Sequence, residues 1–228
     1  MADLNARAGG GLMPTTRLEA FSDGVFAIAI TLLVLELKIP EGPGPVLHEL
    51  AGQFGSYLGY FVSFAFIGGV WMAHSNLTRF IKATDQVMMG LNLVLLLFVS
   101  LLPFTTHLFA GRLGDPGEHA AVVVFGINLT LASLMVNVMF GYAARTEGVA
   151  DDAAADAEIT AFARQRRVVV ILQAIATLFG LLIPLVAVVL YLVLALLMLG
   201  EPIWRAERVR RAERRADRRA AGGAADGE

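Results

Sequence analysis

Long uncharged apolar runs recur along the chain with polar stretches between them, and their lengths are those of membrane-crossing helices rather than of alternating strands or two-faced soluble helices. A second span is predicted from about Gln53 to Leu77, with Phe54 to Ala73 uncharged and Gly55, Gly59, Gly68 and Gly69 permitting close helix contact. Gln86 to Ala110 forms a third, broken near its far end by Pro103, and Ala120 to Ala144 a fourth. The last run, Val168 to Gly200, has 33 residues without a charge, too long for one span and slightly short for two.

The first run departs from this pattern. Thr16 followed by Glu19 fits a capping box, so a helix is predicted over Arg17 to Leu37, bracketed by Pro14 and Pro40. Arg17, Glu19, Asp23 and Glu36 all lie on it, and a carboxylate facing acyl chains costs about 2.5–3.5 kcal/mol on insertion scales. This helix is therefore expected to be surrounded by protein or water. Arg17, Phe21, Gly24, Ile28, Leu32 and Leu35 form one stripe along it, with Thr31 at its border. Asp23 projects sideways, about 140° from Ile28. Periodicity alone fits either a packed face or a hydrophobic pore.

Composition agrees with a membrane protein: 57% of the 228 residues are hydrophobic, 17% are charged, and the mean hydropathy is +0.66. The net charge of -2 hides a strong asymmetry. With six spans, one side receives Arg7, Arg17, Arg79, Lys82, Arg145, Arg164, Arg166, Arg167 and the eight arginines from Arg205 to Arg219, while the other receives Lys38 and Arg112. That bias places both termini in the cytoplasm, with the last run as a hairpin turning near Pro184. Residues 1–15 then form an N-terminal cytoplasmic segment, 16–205 the six-helix membrane domain and 206–228 an arginine-rich cytoplasmic tail. The connection Glu147 to Glu158 reads as an acidic spacer. The first ten residues lack the apolar core of a cleavable signal peptide, so the first span is expected to direct insertion.

Enzyme chemistry is not expected, because no phosphate-binding loop, nucleophile elbow or paired catalytic carboxylates occur. His48, His74, His107 and His119 have no metal-ligand spacing, and there is no cysteine, so neither a metal site nor a cofactor is predicted. Ser22, Asp23, His74 and Asn92 are better read as a polar scaffold within the membrane, with Arg17 neutralising Asp23. A proton relay through Asp23 and His74 is the sharper alternative.

The string Arg17-Leu-Glu-Ala-Phe21-Ser22-Asp23-Gly-Val-Phe-Ala-Ile28 resembles the first-helix signature of the transmembrane protein 175 potassium channel family, in its single-repeat prokaryotic form. Trp71 with His74, and Asp85, Asn92 and Pro103, also match, so the resemblance runs over roughly residues 15 to 205. It implies an all-α homotetramer of six-helix subunits in the plasma membrane, with the first helices lining a central pore. It further implies potassium as permeating ion, with other monovalent cations as further candidates, and partners limited to the bilayer and further copies of the chain, with no nucleic acid. The family's narrowest ring, five residues after the motif's Asp, falls on Ile28, with Leu32 and Leu35 beyond it. Thr31 offers a hydroxyl layer beside that ring, and Arg17, Phe21, Ser22, Asp23, His74 and Asn92 correspond to its polar network. No carbonyl filter of the T-V-G-Y-G kind is present. Two other readings stay open: a proton pathway or secondary transporter using Asp23 and His74, and a non-conducting structural membrane protein. No inverted repeat supports the transporter.

Overall fold

Runs that cannot hydrogen-bond to lipid must satisfy their backbone internally, and the computed structural model does so with helices. The structure describes residues 13–37, 45–81, 83–146 and 153–200. Helix α1 spans Thr16–Leu32 and tightens into a 3-10 turn over Leu33–Glu36. The short α2 covers Val46–Ala51 and leads into α3, Phe54–Phe80. Helices α4, Gln86–Ser100, and α5, Leu102–Ala110, are one membrane-length segment bent at Leu101, where Pro103 enters the first turn of the second piece. Then come α6, Glu118–Ala143, α7, Ala153–Phe179, and α8, Pro184–Gly200.

Among the described residues, four segments are long and apolar enough to cross a membrane: Thr16–Glu36, Phe54–Phe80, Gln86–Ala110 and Glu118–Ala143. The expectation of six rests on the remaining two helices. Three arginines crowd the middle of α7, and α8 is a shorter apolar helix. The last apolar run does break near the expected place, at Gly180 to Ile183. Pro184, which has no N–H to leave unpaired, opens α8. The tail after Gly200 and the first half of the acidic spacer lie outside the described residues, and the second half of the spacer opens α7.

The helix start at Thr16 corrects the capping box. Thr16 is already helical, and Thr15, the residue before it, uses its backbone carbonyl to accept the Glu19 N–H at 2.9 Å, with no side-chain cap. A two-residue strand explains the earlier start: β1, Met13–Pro14, pairs antiparallel with β2, Ala83–Thr84, fixing the entry of α1 against the α3–α4 connection.

Small residues set the interhelical distances. A Cβ at Gly55 would lie 3.2 Å from the Ala110 carbonyl oxygen, and one at Gly59 would lie 3.1 Å from the Phe109 ring, so the G-x-x-x-G pair seats α3 on α5. Gly126 on α6 lets Tyr191 of α8 in so closely that a Cβ there would overlap the phenol oxygen. Polar groups are matched across these contacts: Ser63 with Thr106 at 2.7 Å, Asn128 donating to Thr105 at 3.2 Å, and Tyr191 donating to Thr177 at 3.2 Å. Phe109 stacks on Phe125, with ring centres 5.3 Å apart.

Asp85 fastens the α3–α4 corner. Its carboxylate accepts the Met88 N–H at 2.8 Å as the cap of α4 and also accepts the Tyr142 hydroxyl from α6. Partial burial pushes this carboxyl up, but the hydrogen bonds from Met88 and Tyr142 outweigh it and hold it below the usual carboxylate range. A lowered folded-state pKa means a contribution fully present above the unfolded value, near 3.9, and lost as pH falls through the folded value. Asp85→Ala should therefore lower the thermal midpoint at neutral pH, by a cap's worth of about 1 kcal/mol or more. The gap to wild type should start to narrow as melts are taken below about pH 4 and shrink further as pH falls through the folded value. A gap that persists at low pH would show that the carboxylate is not its source.

Candidate functional site

Helix α1 has two faces of opposite character. Leu18, Ser22, Phe26, Ala29 and Leu33 are buried against α3, α4 and α5, following the i, i+4 and i, i+3 steps of a helical stripe. The face carrying the predicted stripe is bare: Phe21 is 57% exposed, Ile28 61%, Leu32 42% and Leu35 74%. Arg17, Gly24 and Thr31 are exposed on the same side. The Thr31 hydroxyl donates to the carbonyls of Ala27 and Ile28, both at 2.9 Å, which turns its oxygen lone pairs outward.

On the buried face three helices meet through polar side chains. Ser22 Oγ donates to the Leu18 carbonyl at 2.7 Å and accepts from Asn92 Nδ2 of α4 at 2.9 Å. The amide oxygen of Asn92 lies 2.9 Å from His74 Nε2 of α3, and because a carbonyl oxygen can only accept, that nitrogen carries the proton. Phe26 covers the imidazole with its ring centre 5.6 Å away. Ser22, His74 and Asn92 are all buried, so every bond in the chain forms away from solvent.

Asp23 stands apart from this chain. Its side chain is exposed and accepts the indole N–H of Trp71 at 2.8 Å. Among the described residues no ion pair joins it to Arg17, which corrects the expected neutralisation. Six residues of helix place the two about 240° apart around the axis and roughly 9 Å along it. Arg17 and Phe21 instead line a groove of about 610 Å³ between α1 and α4, and Asp23 borders one of about 350 Å³ between α1 and α3. Trp71 was not among the predicted site residues. Its signal is the spacing Trp71, His74 at i, i+3, which puts both on the α3 face that meets α1. A second unpredicted contact closes the far end of α1, where Glu36 pairs with His107 of α5 at 2.5 Å. Among the described residues no cluster of His, Asp or Glu has the composition of a metal site.

Apolar helices of crossing length, tied together by a buried polar chain and carrying one uncovered helix face, define a polytopic helical membrane protein. The sequence matches the family described as Endosomal/lysosomal potassium channel TMEM175 over residues 17–103. It is 40% identical over 133 residues to a potassium channel of Streptomyces collinus, covering 57% of this chain and 65% of that protein, just under two thirds of its length. It is 38% identical over 159 residues to a potassium channel of Chamaesiphon minutus, covering 67% of this chain and 77% of the relative. The mouse endosomal/lysosomal proton channel TMEM175 is 39% identical over 119 residues, which is 46% of this chain and only 24% of the mouse protein. Among solved structures, the lysosomal potassium-selective channel TMEM175 homolog from Chamaesiphon minutus superposes with a TM-score of 0.74 at 32% identity, over 81% of this chain and 95% of that one. The chain belongs to the TMEM175 family.

The Asn92 amide is the group whose loss leaves most unsatisfied. Asn92→Ala would strand His74 Nε2 in an apolar interior, at about 1–3 kcal/mol, and would remove the bond by which Ser22 Oγ, still donating to the Leu18 carbonyl, joins α1 to α4. Thermal unfolding in detergent, followed by circular dichroism, should show a clear fall in midpoint. An unchanged midpoint would remove this chain of bonds from the fold's support.

Proposed function

We propose that the protein is a potassium-permeable channel, a homotetramer of six-span subunits in the plasma membrane with cytoplasmic termini, whose pore is lined by α1. The observation that carries this reading is the bare face of α1, where an aliphatic stripe runs beside the exposed carboxylate of Asp23 and the guanidinium of Arg17. Lipid suits the stripe and not the charges. Other copies of the chain, or water in a pathway between them, suit both. The potassium channel names of the bacterial relatives supply the ion.

In this reading Ile28 forms the tightest ring, and a dry aliphatic constriction gates by dewetting. Leu32 and Leu35 continue the pathway. Thr31, with its hydroxyl proton committed to the backbone, presents oxygen lone pairs that replace part of an ion's hydration shell. Asp23, held by Trp71 off the stripe, serves the contacts between α1 and its neighbours rather than permeation. Asp23→Ala should lower the yield of tetramer on gel filtration more than it alters the current of the channels that assemble. Normal assembly with abolished or pH-altered current would favour a proton path.

The vertebrate relatives are named proton channels, which gives that second reading a specific footing. Against a relay, Asp23 and His74 bond to different partners, Trp71 and Asn92. Bilayer recordings under separate potassium, sodium and proton gradients distinguish the permeating ions by reversal potential.

The pore face is tested by asparagine. Ile28→Asn removes a dry ring and supplies hydrogen-bonding groups, so current should rise at matched protein amounts, with smaller gains for Leu32→Asn and Leu35→Asn. Leu33, fully buried against the core, should respond to Asn only by destabilising, at a cost of a few kcal/mol, roughly that of an unpaired buried amide. Equal currents from Ile28→Asn and wild type, or a gain confined to Leu33→Asn, would exclude α1's bare face as the pore lining.

A further inference from the structure

Where α6 ends and α7 approaches it, Arg145, Arg164 and Arg167 line a groove of about 410 Å³. Arg164 and Arg167 are one helical turn apart on α7, and Arg145 faces them from the turn that follows α6. Among the described residues no carboxylate lines the groove, and none of the three arginines is in an ion pair. Nor are they engaged in capping α6, whose last carbonyls accept backbone N–H groups: Ala144 donates to Phe140 at 3.0 Å and Arg145 to Tyr142 at 3.1 Å. Gly141 and Ala163 keep the floor low, nothing lies within 4 Å of where a Gly141 side chain would begin, and Thr160 contributes a hydroxyl.

Three converging guanidinium groups, a hydroxyl and an open floor make a receptor for a phosphate group, since guanidinium forks match phosphate oxygens in both charge and geometry. The depth of the groove identifies the source. Arg167 is the last charge before the uncharged run from Val168 to Gly200, so the groove opens where apolar helix gives way to water, the level at which lipid phosphates lie. We propose that this groove binds the phosphate of an anionic lipid headgroup, with the acyl chains lying along the apolar surface of α7 beyond Arg167, where Val168, Ile171 and Leu172 are exposed. The site is separate from the α1 face; it rests on the proposed six-span placement of α7 and not on the pore reading.

The test counts lipid adducts on the full-length detergent-purified protein by native mass spectrometry, using phosphatidylglycerol and phosphatidylcholine of identical chains. Wild type should hold phosphatidylglycerol in preference. Arg164→Gln combined with Arg167→Gln should weaken that binding about fivefold per arginine, about twenty-five-fold for the pair, from the attraction of a basic side chain to an anionic membrane surface. Arg79→Gln, removing an exposed arginine at the end of α3, should leave it within twofold. The corresponding double lysine variant keeps the charge and should bind better than the double glutamine variant, which separates charge loss from misfolding. Equal affinity of wild type for both lipids, or an equal loss from Arg79→Gln, would overturn the site. Displacement of phosphatidylglycerol by millimolar glycerol 3-phosphate would make the ligand a soluble phosphate and overturn the lipid assignment.

Discussion

The fold depends on one side-chain amide. Asn92 reaches from α4 to Ser22 on α1 and His74 on α3, using its nitrogen for one and its oxygen for the other. In water such bonds would exchange with solvent at little net gain, whereas in a bilayer the alternative is an unpaired polar group in hydrocarbon. Their effect is to fix rotation as well as proximity. Ser22 can meet Asn92 only if α1 keeps one azimuth, and that azimuth turns Phe21, Ile28 and Leu35 away from the bundle. The buried bonds and the bare stripe are two consequences of one orientation.

Much of this was legible from the residues because membrane constraints are strong. Uncharged length found the second, third and fourth spans within a few residues, Pro103 located the bend between α4 and α5, and Gly55 and Gly59 marked a face for close helix contact, which α5 takes. The periodicity of α1 separated its stripe from Ser22. What periodicity fixes is direction around an axis, and it carries no information about what another helix places there. Hence Trp71 as the partner of Asp23 was missed, and so was His107 as the partner of Glu36. The Arg17–Asp23 pairing failed for a different reason: a charge match was preferred to helix geometry that already separated the two. The capping box failed because a two-residue strand, too short to signal itself, sets where α1 begins.

The two ends of α1 are held differently. At its start, β1 joins β2 through backbone hydrogen bonds and so ties the helix to the α3–α4 corner, which Asp85 in turn ties to α6. At its other end the 3-10 turn buries Leu33 against α3 and α5, and Glu36 meets the exposed His107.

The 3-10 winding of Leu33–Glu36 adds a property of its own. Each residue there turns about 120° and rises about 2.0 Å, where an α-helix turns about 100° and rises about 1.5 Å. Over four residues the difference amounts to roughly 80° of rotation and 2 Å of length. The end of α1 is thus a short screw thread: rewinding it to α geometry would swing Leu35 around the axis and draw Glu36 back along it, while Ser22, Phe26 and Ala29 stayed where they are.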